Sequence, residues 1–355
     1  LGHRSEIVWQ FAERMRGMGI EYGLMMGDEP HDPTLPMQII SIQSLYTKAL
    51  KRKSADVPKA DLVIVDEFHH GPSASWDRIM GLYPESHILG FSATPINNNG
   101  VGLGACVDKL LVGPSITELT KEKWLVPVRY FVPSLPDLDG LRIRAGDYVG
   151  AEIEERMDRK ELIGDILENW SRICPNRQTI CFASGVQHSI HIAERFIEIG
   201  IKAVHMDGNT PTRERDRMIS EFKSGDSQVI VNCALFTEGT DLPDASCIIF
   251  ARPTKSLLLY LQICGRGLRP FPGKENLILI DHSGVIFEHG TLEQDFDWRL
   301  DYGKKKTINK VMAKQREESK KKLIFCKQCN FVFTGKVTCP ACGWKLTLKG
   351  KPVET

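Results

Sequence analysis

No stretch of about 18 uncharged apolar residues occurs anywhere in the chain, so nothing in it reads as a membrane-spanning helix. The opening residues, Leu1-Gly2-His3-Arg4-Ser5-Glu6, lack the apolar core of a secretory signal, and there is no initiator Met. Neither sign of charge is in excess. Lys and Arg number 46 against 45 Asp and Glu, a formal net charge of +1, so any surface made for a polyanion must be local. A content of 42% apolar and 26% charged residues excludes a disordered or fibrous chain. Gly-Lys-Ser and Gly-Lys-Thr are also missing: the Gly-Lys pairs at Gly273, Gly303, Gly335 and Gly350 continue with Glu, Lys, Val and Pro. Six of the ten cysteines (Cys106, Cys174, Cys181, Cys233, Cys247 and Cys264) are scattered and read as small buried hydrophobes. That usage fits a reducing, cytoplasmic setting better than a secreted disulfide framework.

At 355 residues the chain can hold two domains of ordinary size and an appendage. What is present is organised around residues 60–95. Leu62-Val63-Ile64-Val65 has no polar alternation, which predicts a strand buried on both faces of a parallel sheet, and it ends in Asp66-Glu67-Phe68-His69-His70. A second apolar run, Ile88-Leu89-Gly90-Phe91, ends in Ser92-Ala93-Thr94-Pro95. Ligands gather at the carboxyl ends of strands in open α/β sheets. There one carboxylate can hold Mg²⁺ while its neighbour orients or deprotonates a water. The alternative is a helix-capping Asp followed by a surface Glu. Upstream, residues 3–16 are predicted helical with Ile7, Val8 and Phe11 at helical spacing, and Met37 to Ile42 leads as a strand into Gln43-Ser44-Leu45.

Residues 120–150, with Pro127, Pro133 and Pro136, read as a linker with short strands. A second alternation follows: a helix from Glu152 to Trp170, then apolar runs beginning at Thr179, Ala203, Val229, Cys247 and Leu277, with helical stretches between most of them. Strand–helix alternation of this kind predicts a second parallel sheet, so the fold class is α/β with two units similar in plan. His188 and His191, three apart on a predicted helix and lacking a third ligand, are expected at the surface. Two polar constellations belong to this half. Thr237-Glu238-Gly239-Thr240-Asp241 is a Gly-containing loop after a strand, suited to close backbone approach by a phosphate or sugar. In Gln262-Ile263-Cys264-Gly265-Arg266-Gly267-Leu268-Arg269, the two arginines are three apart. On a helical turn they would face one way, where paired guanidiniums can grip phosphoryl oxygens.

Residues 303–322 are lysine-rich, either a solvated helix or tether, or a helix that contacts phosphates in a salt-dependent way. The last four cysteines, Cys326-x₂-Cys329-x₉-Cys339-x₂-Cys342, have the spacing of a tetrahedral Cys₄ zinc site, and two disulfides are disfavoured by the compartment. Phe325, Phe331 and Phe333 give this piece a core too small to fold alone, so Zn²⁺ would supply the missing stability. Nucleic-acid grip, docking of a protein partner and a terminal cap are all open as its role.

In order, Asp66-Glu67-Phe68-His69, Ser92-Ala93-Thr94, Thr237 to Asp241 and Gln262 to Arg269 resemble motifs II, III, V and VI of superfamily 2 helicases of the DExH type. Weaker likenesses are His3 to Gln10 with motif Ia, Ser41 to Leu45 with the nucleic-acid-contact motif that follows, and Ile180 to Ala183 with motif IV. With its short cysteine-rich tail the chain is most similar to bacterial and phage helicases of the RadD/YejH kind, over about residues 1–285. The resemblance implies two RecA-like parallel-sheet domains in tandem, at 1–118 and 151–290, joined by a linker at 119–150. A basic helical tether over 291–322 and a Cys₄ zinc ribbon over 323–346 would follow.

It also implies ATP, Mg²⁺ and Zn²⁺ as cofactors and a nucleic acid as partner, DNA ahead of RNA. Asp66 would coordinate Mg²⁺ and Glu67 would activate the attacking water. His69 and Gln262 would link the nucleotide site to the strand-binding surface, and Ser92 and Thr94 would couple hydrolysis to domain movement. Gly239 and Asp241 would face the nucleotide, Arg266 and Arg269 would reach the γ-phosphate, and Arg4 and Gln43 would touch the nucleic-acid backbone. Helicases of this kind need a glycine-rich loop ending in Gly-Lys-Ser/Thr, located in the family just before the segment that opens this chain. The expectation is a fragment cut downstream of that loop, with little or no ATP turnover of its own. The alternative is a non-catalytic nucleic-acid-binding module whose partner supplies the loop.

Overall fold

The computed structural model describes residues 1–346 apart from 4, 55, 71–72, 98, 145, 237–241 and 304–306. They form two compact units, Leu1–Val112 with Asp297–Ile308, and Gly113–Phe296 with Asn309–Thr355.

In the first unit, helix α1 (Ser5–Gly17) buries Ile7, Val8 and Ala12. Phe11, at the same helical spacing, stays half exposed and borders a cavity. Strands β1 (Gly23–Met25) and β2 (Gln38–Ile40) pair in parallel, and β2 runs into helix α2 (Ile42–Leu45). Strands β3 (Leu62–Val65) and β4 (His87–Gly90) form a second parallel pair, with helix α3 (Ala74–Met80) between them in sequence. Gly2 hydrogen-bonds to the end of β2, and Leu1 to that of β3. Met25, Ile40, Leu45, Val63, Val65, Phe68, Trp76 and Ile79 make the core.

The prediction of a strand buried on both faces fails for β3. Val63 and Val65 point into the core, but Leu62 is 51% and Ile64 44% exposed, and β4 is exposed along its length. An unbroken apolar run gives no period by which to tell one covered face from two. The uncovered side borders a cavity of about 250 Å³ lined by Phe11, Ile39, Pro58, Leu62, Ile64 and Tyr83.

The second unit begins with helix α4 (Ile116–Lys121), whose Ser115 and Glu118 form a reciprocal capping box. Strand β5 (Val128–Phe131) and a hairpin of β6 (Ile143–Arg144) and β7 (Asp147–Tyr148) follow. Next come helices α5 (Gly150–Met157) and α6 (Lys160–Ile173), strand β8 (Thr179–Ala183), helix α7 (Val186–Glu198), strand β9 (Ala203–Met206) and helix α8 (Thr212–Ser224). Strands β10 (Val229–Asn232) and β11 (Cys247–Ala251), helix α9 (Leu257–Leu268), strand β12 (Leu277–Asp281) and helix α10 (Val285–His289) complete the alternation.

All six long strands are parallel, in the order β5-β12-β11-β8-β10-β9. The fold is therefore α/β with a parallel sheet, and here the strands are covered on both faces: β8, β10, β11 and β12 are buried throughout. Strand β5, read from the sequence as part of a linker, extends this sheet on the β12 side.

Helices α11 (Ile308–Val311) and α12 (Ala313–Lys322) lead to the antiparallel pair β13 (Leu323–Phe325) and β14 (Val332–Thr334). This terminal piece packs on the second unit. Phe331 pairs with Phe131 in an antiparallel bridge, their rings 5.2 Å apart, and Arg129 lies over both. Val132 N–H donates to Asn330 O at 2.9 Å, and Phe325 stacks on Phe287 at 4.6 Å. Among the described residues no helix is long and apolar enough to cross a membrane.

Candidate active site and metal centre

Asp66 and Glu67 leave β3 at its carboxyl end, and the chain turns at once into a 3₁₀ turn over Phe68–His70. Glu67 makes the turn with φ +53°, a left-handed conformation rare for a residue with a side chain. Its N–H is held by Asp66 Oδ1 at 3.0 Å. The Phe68 ring lies against Gly90, where a Cβ would come within 2.5 Å of it, so Gly90 is what lets the turn approach β4. Such strain persists only where surrounding contacts impose it, and it concentrates at functional sites.

The contacts are on view. His69, buried, faces Glu67 Oε2 at 3.2 Å and Ser92 Oγ at 3.3 Å, both through Nδ1. Ser92 Oγ donates to Thr94 O at 2.8 Å and accepts from Thr94 N–H at 3.1 Å. Thus Asp66, Glu67, His69, Ser92 and Thr94, expected to share a site, do lie together at the ends of β3 and β4. Burial holds the Asp66 carboxyl above the usual carboxylate range, against the lowering effect of the Glu67 N–H it accepts. A half-buried, hard-oxygen ligand of that kind suits a divalent cation.

Gln43 is exposed on α2 and donates to the His3 carbonyl at 2.5 Å. Arg4 lies outside the described residues, as do Gly239 and Asp241.

In the second unit Gln262 is buried on α9 and Arg266 half-buried on its last turn. Arg269 departs from expectation. It falls one residue past α9 with φ −64° and ψ 136°, so it does not share a helical face with Arg266. Pro270 is the cause, since a residue before proline is pushed out of the helical region. Beyond the helix, Lys274 Nζ donates to Pro243 O at 3.0 Å and Ala245 O at 2.6 Å, tying this end to the loop that follows residues 237–241. Burial pushes its pKa down to about 8. No motif marks Lys274, and a lysine after a glycine carries no signal that it will cap carbonyls.

Two further features carry no sequence motif. Glu154 Oε1, from α5, accepts from the Gln187 and His188 N–H groups at the start of α7, and Gly185 leaves the carboxylate its room. His188 is fully buried, not at the surface, and its Nδ1 accepts from Ser184 N–H while facing Ser184 Oγ at 2.6 Å. Burial lowers its pKa to about 4. The unfolded chain therefore takes up this proton near pH 6.5 and the folded chain only near 4. The neutral ring's contribution is complete above pH 6.5 and is lost as pH falls towards 4, about 3 kcal/mol in all. Denaturant midpoints across pH 4–7 should show this slope, and H188Q should flatten it; an unchanged slope would assign it to other groups.

The four terminal cysteines converge, all Sγ atoms lying within 4.8 Å of one another. Cys326 and Cys342 are 3.5 Å apart, Cys329 and Cys339 3.7 Å. Tetrahedral Zn–S bonds of about 2.3 Å place sulfurs about 3.8 Å apart, so the donor set fits zinc. Asn330, at φ +63°, makes the turn out of the first knuckle.

Residues 159–270 match the helicase conserved C-terminal domain, and residues 1–97 the res subunit of type III restriction enzymes. The chain belongs to helicase superfamily 2. A "51.5 kDa protein" of Lactococcus phage (isolate 7-9) is 32% identical to it over 99% of this chain and 72% of its own length. A Saccharomyces cerevisiae protein named as a candidate ATP-dependent helicase, IRC3, is 28% identical over 80% of this chain but only 43% of its own length. The chain thus spans less than half of that yeast relative. In fold it is similar to a fragment of a candidate HsdR subunit of a type I restriction enzyme from Vibrio vulnificus, with TM-score 0.60 and 16% identity over 79% of this chain and 52% of the other.

Proposed function

We propose that the chain is the core of an ATP-dependent helicase or translocase of the RadD/YejH kind, working on DNA ahead of RNA. Residues 1–118 and 151–290 would carry its two motor domains, the second extended by β5 and the β7 hairpin from the 119–150 stretch. Residues 291–322, part of which belongs to the first compact unit, would be a basic tether and 323–346 a zinc ribbon open to a protein partner. The observation that carries this reading is the strained Glu67, tied through His69 to Ser92 and Thr94 beside Asp66. A carboxylate at a strand end needs no such bracing to act as a helix cap. Held at this angle, it can take a proton from a water, and its state can be felt by the strand that follows.

Asp66 would hold Mg²⁺, which when bound offsets charge on the phosphates. Gly239, Asp241, Arg266 and Arg269 would receive the nucleotide from the second domain, with the two arginines approaching by different backbone routes. Gln262 would pair its role with His69, and Arg4 and Gln43 would bear on the nucleic acid. A second reading, a binding module that depends on a partner for its phosphate loop, draws on the lack of Gly-Lys-Ser/Thr in these 355 residues.

With no lysine to reach the β- and γ-phosphates, little or no ATP turnover is expected from the 355 residues alone. Joining a strand, a Gly-Lys-Ser/Thr loop and a helix ahead of Leu1 should bring hydrolysis stimulated by nucleic acid. A folded fusion that binds nucleotide and nucleic acid without hydrolysis would overturn the motor reading in favour of the module.

A further inference from the structure

Asp147, on the short strand β7, gathers four donors on one carboxylate. Oδ1 accepts from the N–H groups of Tyr148 at 2.9 Å and Lys255 at 2.8 Å. Oδ2 accepts from Thr254 Oγ1 at 2.8 Å and Arg252 Nη2 at 3.4 Å. Three of these donors belong to residues 252–255, in the loop that leads from β11 into α9. The network continues inward from there. Thr254 Oγ1 accepts from Ser256 N–H at 3.0 Å, and Ser256 Oγ caps α9 by accepting from Leu259 N–H at 3.3 Å. The Thr254 carbonyl takes His289 Nε2 at 2.9 Å, and Lys255 Nζ pairs with Glu288 at 2.6 Å while lying 5.5 Å from the Tyr148 ring centre.

An ordinary surface ion pair would account for the Arg252 bond. It does not account for a carboxylate that also takes a backbone N–H and a buried threonine hydroxyl from the same short loop. Every partner is a donor, so the group must be an acceptor at all its positions, which the carboxylate satisfies and an amide does not. The loop fixes where α9 begins and how it is turned about its axis, and a helix carries such a setting along its length. Gln262 and Arg266 ride on that helix.

We propose that Asp147 is a positioning residue: it sets α9, and through it the Arg266 guanidinium, for the phosphoryl group. This rests on the motor reading given above. A shift of about 1 Å at a charge-stabilising group can cost about 10²-fold in rate without weakening substrate binding, so the role has a distinct kinetic mark.

The test uses D147A, D147N and, as a control on the same segment, D139N, whose side chain is exposed. In the 355-residue chain, hydrogen exchange over residues 252–262 should speed up for D147A and D147N and stay at wild type for D139N. In the protein carrying a phosphate loop, kcat for ATP should fall about 10- to 100-fold with KM almost unchanged, and D147E should recover part of the loss. Should D147A not fold, D147N decides. Wild-type kcat in a folded D147N protein, or a loss confined to KM, overturns the positioning role alone. Absence of turnover in the wild-type protein with its loop overturns the motor reading and takes this role with it.

Discussion

Exchanging Glu67 for glutamine lowers ATP turnover by about 10²–10⁴-fold in a form of the protein that carries a phosphate loop, with nucleotide affinity little changed. Glutamine keeps the size and the left-handed backbone problem of the original, so stability should hold. What it removes is the acceptor able to take a proton from water. The residue's φ of +53° costs of the order of 1–3 kcal/mol, a sum hard to explain for an idle surface carboxylate. His69 Nδ1, 3.2 Å from Glu67, would lose a charged partner, and exchange at Ser92 and Thr94 should loosen in step. Steady-state ATPase with and without nucleic acid checks the rate, and a fluorescent nucleotide checks affinity. Turnover left at the wild-type rate would remove Glu67 from the chemistry.

Stripping the metal, or changing Cys339 to serine, unfolds residues 323–346 as a unit. Zinc contributes about 10–16 kcal/mol to folding in comparable peptides at neutral pH, and this piece has little else: Cys326, Phe333 and Cys339 are its buried core. Because Phe331 packs on Phe131 and Val132 bonds to Asn330, residues 128–132 should lose exchange protection with it. Metal analysis should find zinc in the wild type and none in C339S. C233S, which alters a cysteine far from the cluster in sequence, should keep both metal and protection. Retained protection over 323–346 in metal-free protein would show that the ribbon folds without an ion.

Patterns that are local in sequence were legible in advance. Alternating apolar and helical segments identify the second sheet because its four inner strands, β8, β10, β11 and β12, are buried on both faces. The Cys₄ cluster needed only its spacing, and the residues around β3 and β4 fall together because each closes a strand of one parallel pair. Whatever depends on distant partners was hidden. The covering of β3 is decided by what packs on it, which an unbroken apolar run does not record. His188 is buried by its pairing with Ser184 and by neighbouring elements, while its spacing to His191 suggests a surface. Arg269 leaves the helix because Pro270 follows it, a local rule that overrides the three-residue interval to Arg266. Asp147 carries no motif at all; its meaning comes from residues more than a hundred positions away.

The bond between Val132 and Asn330 has a consequence for the protein when zinc is scarce. An edge strand with its backbone groups unmet is a template for the strands of other molecules. Here the first cysteine knuckle occupies that template on one margin of the sheet. If the cluster holds zinc, a zinc-starved chain would keep its parallel sheet yet become prone to self-association, so ion supply would govern solubility first.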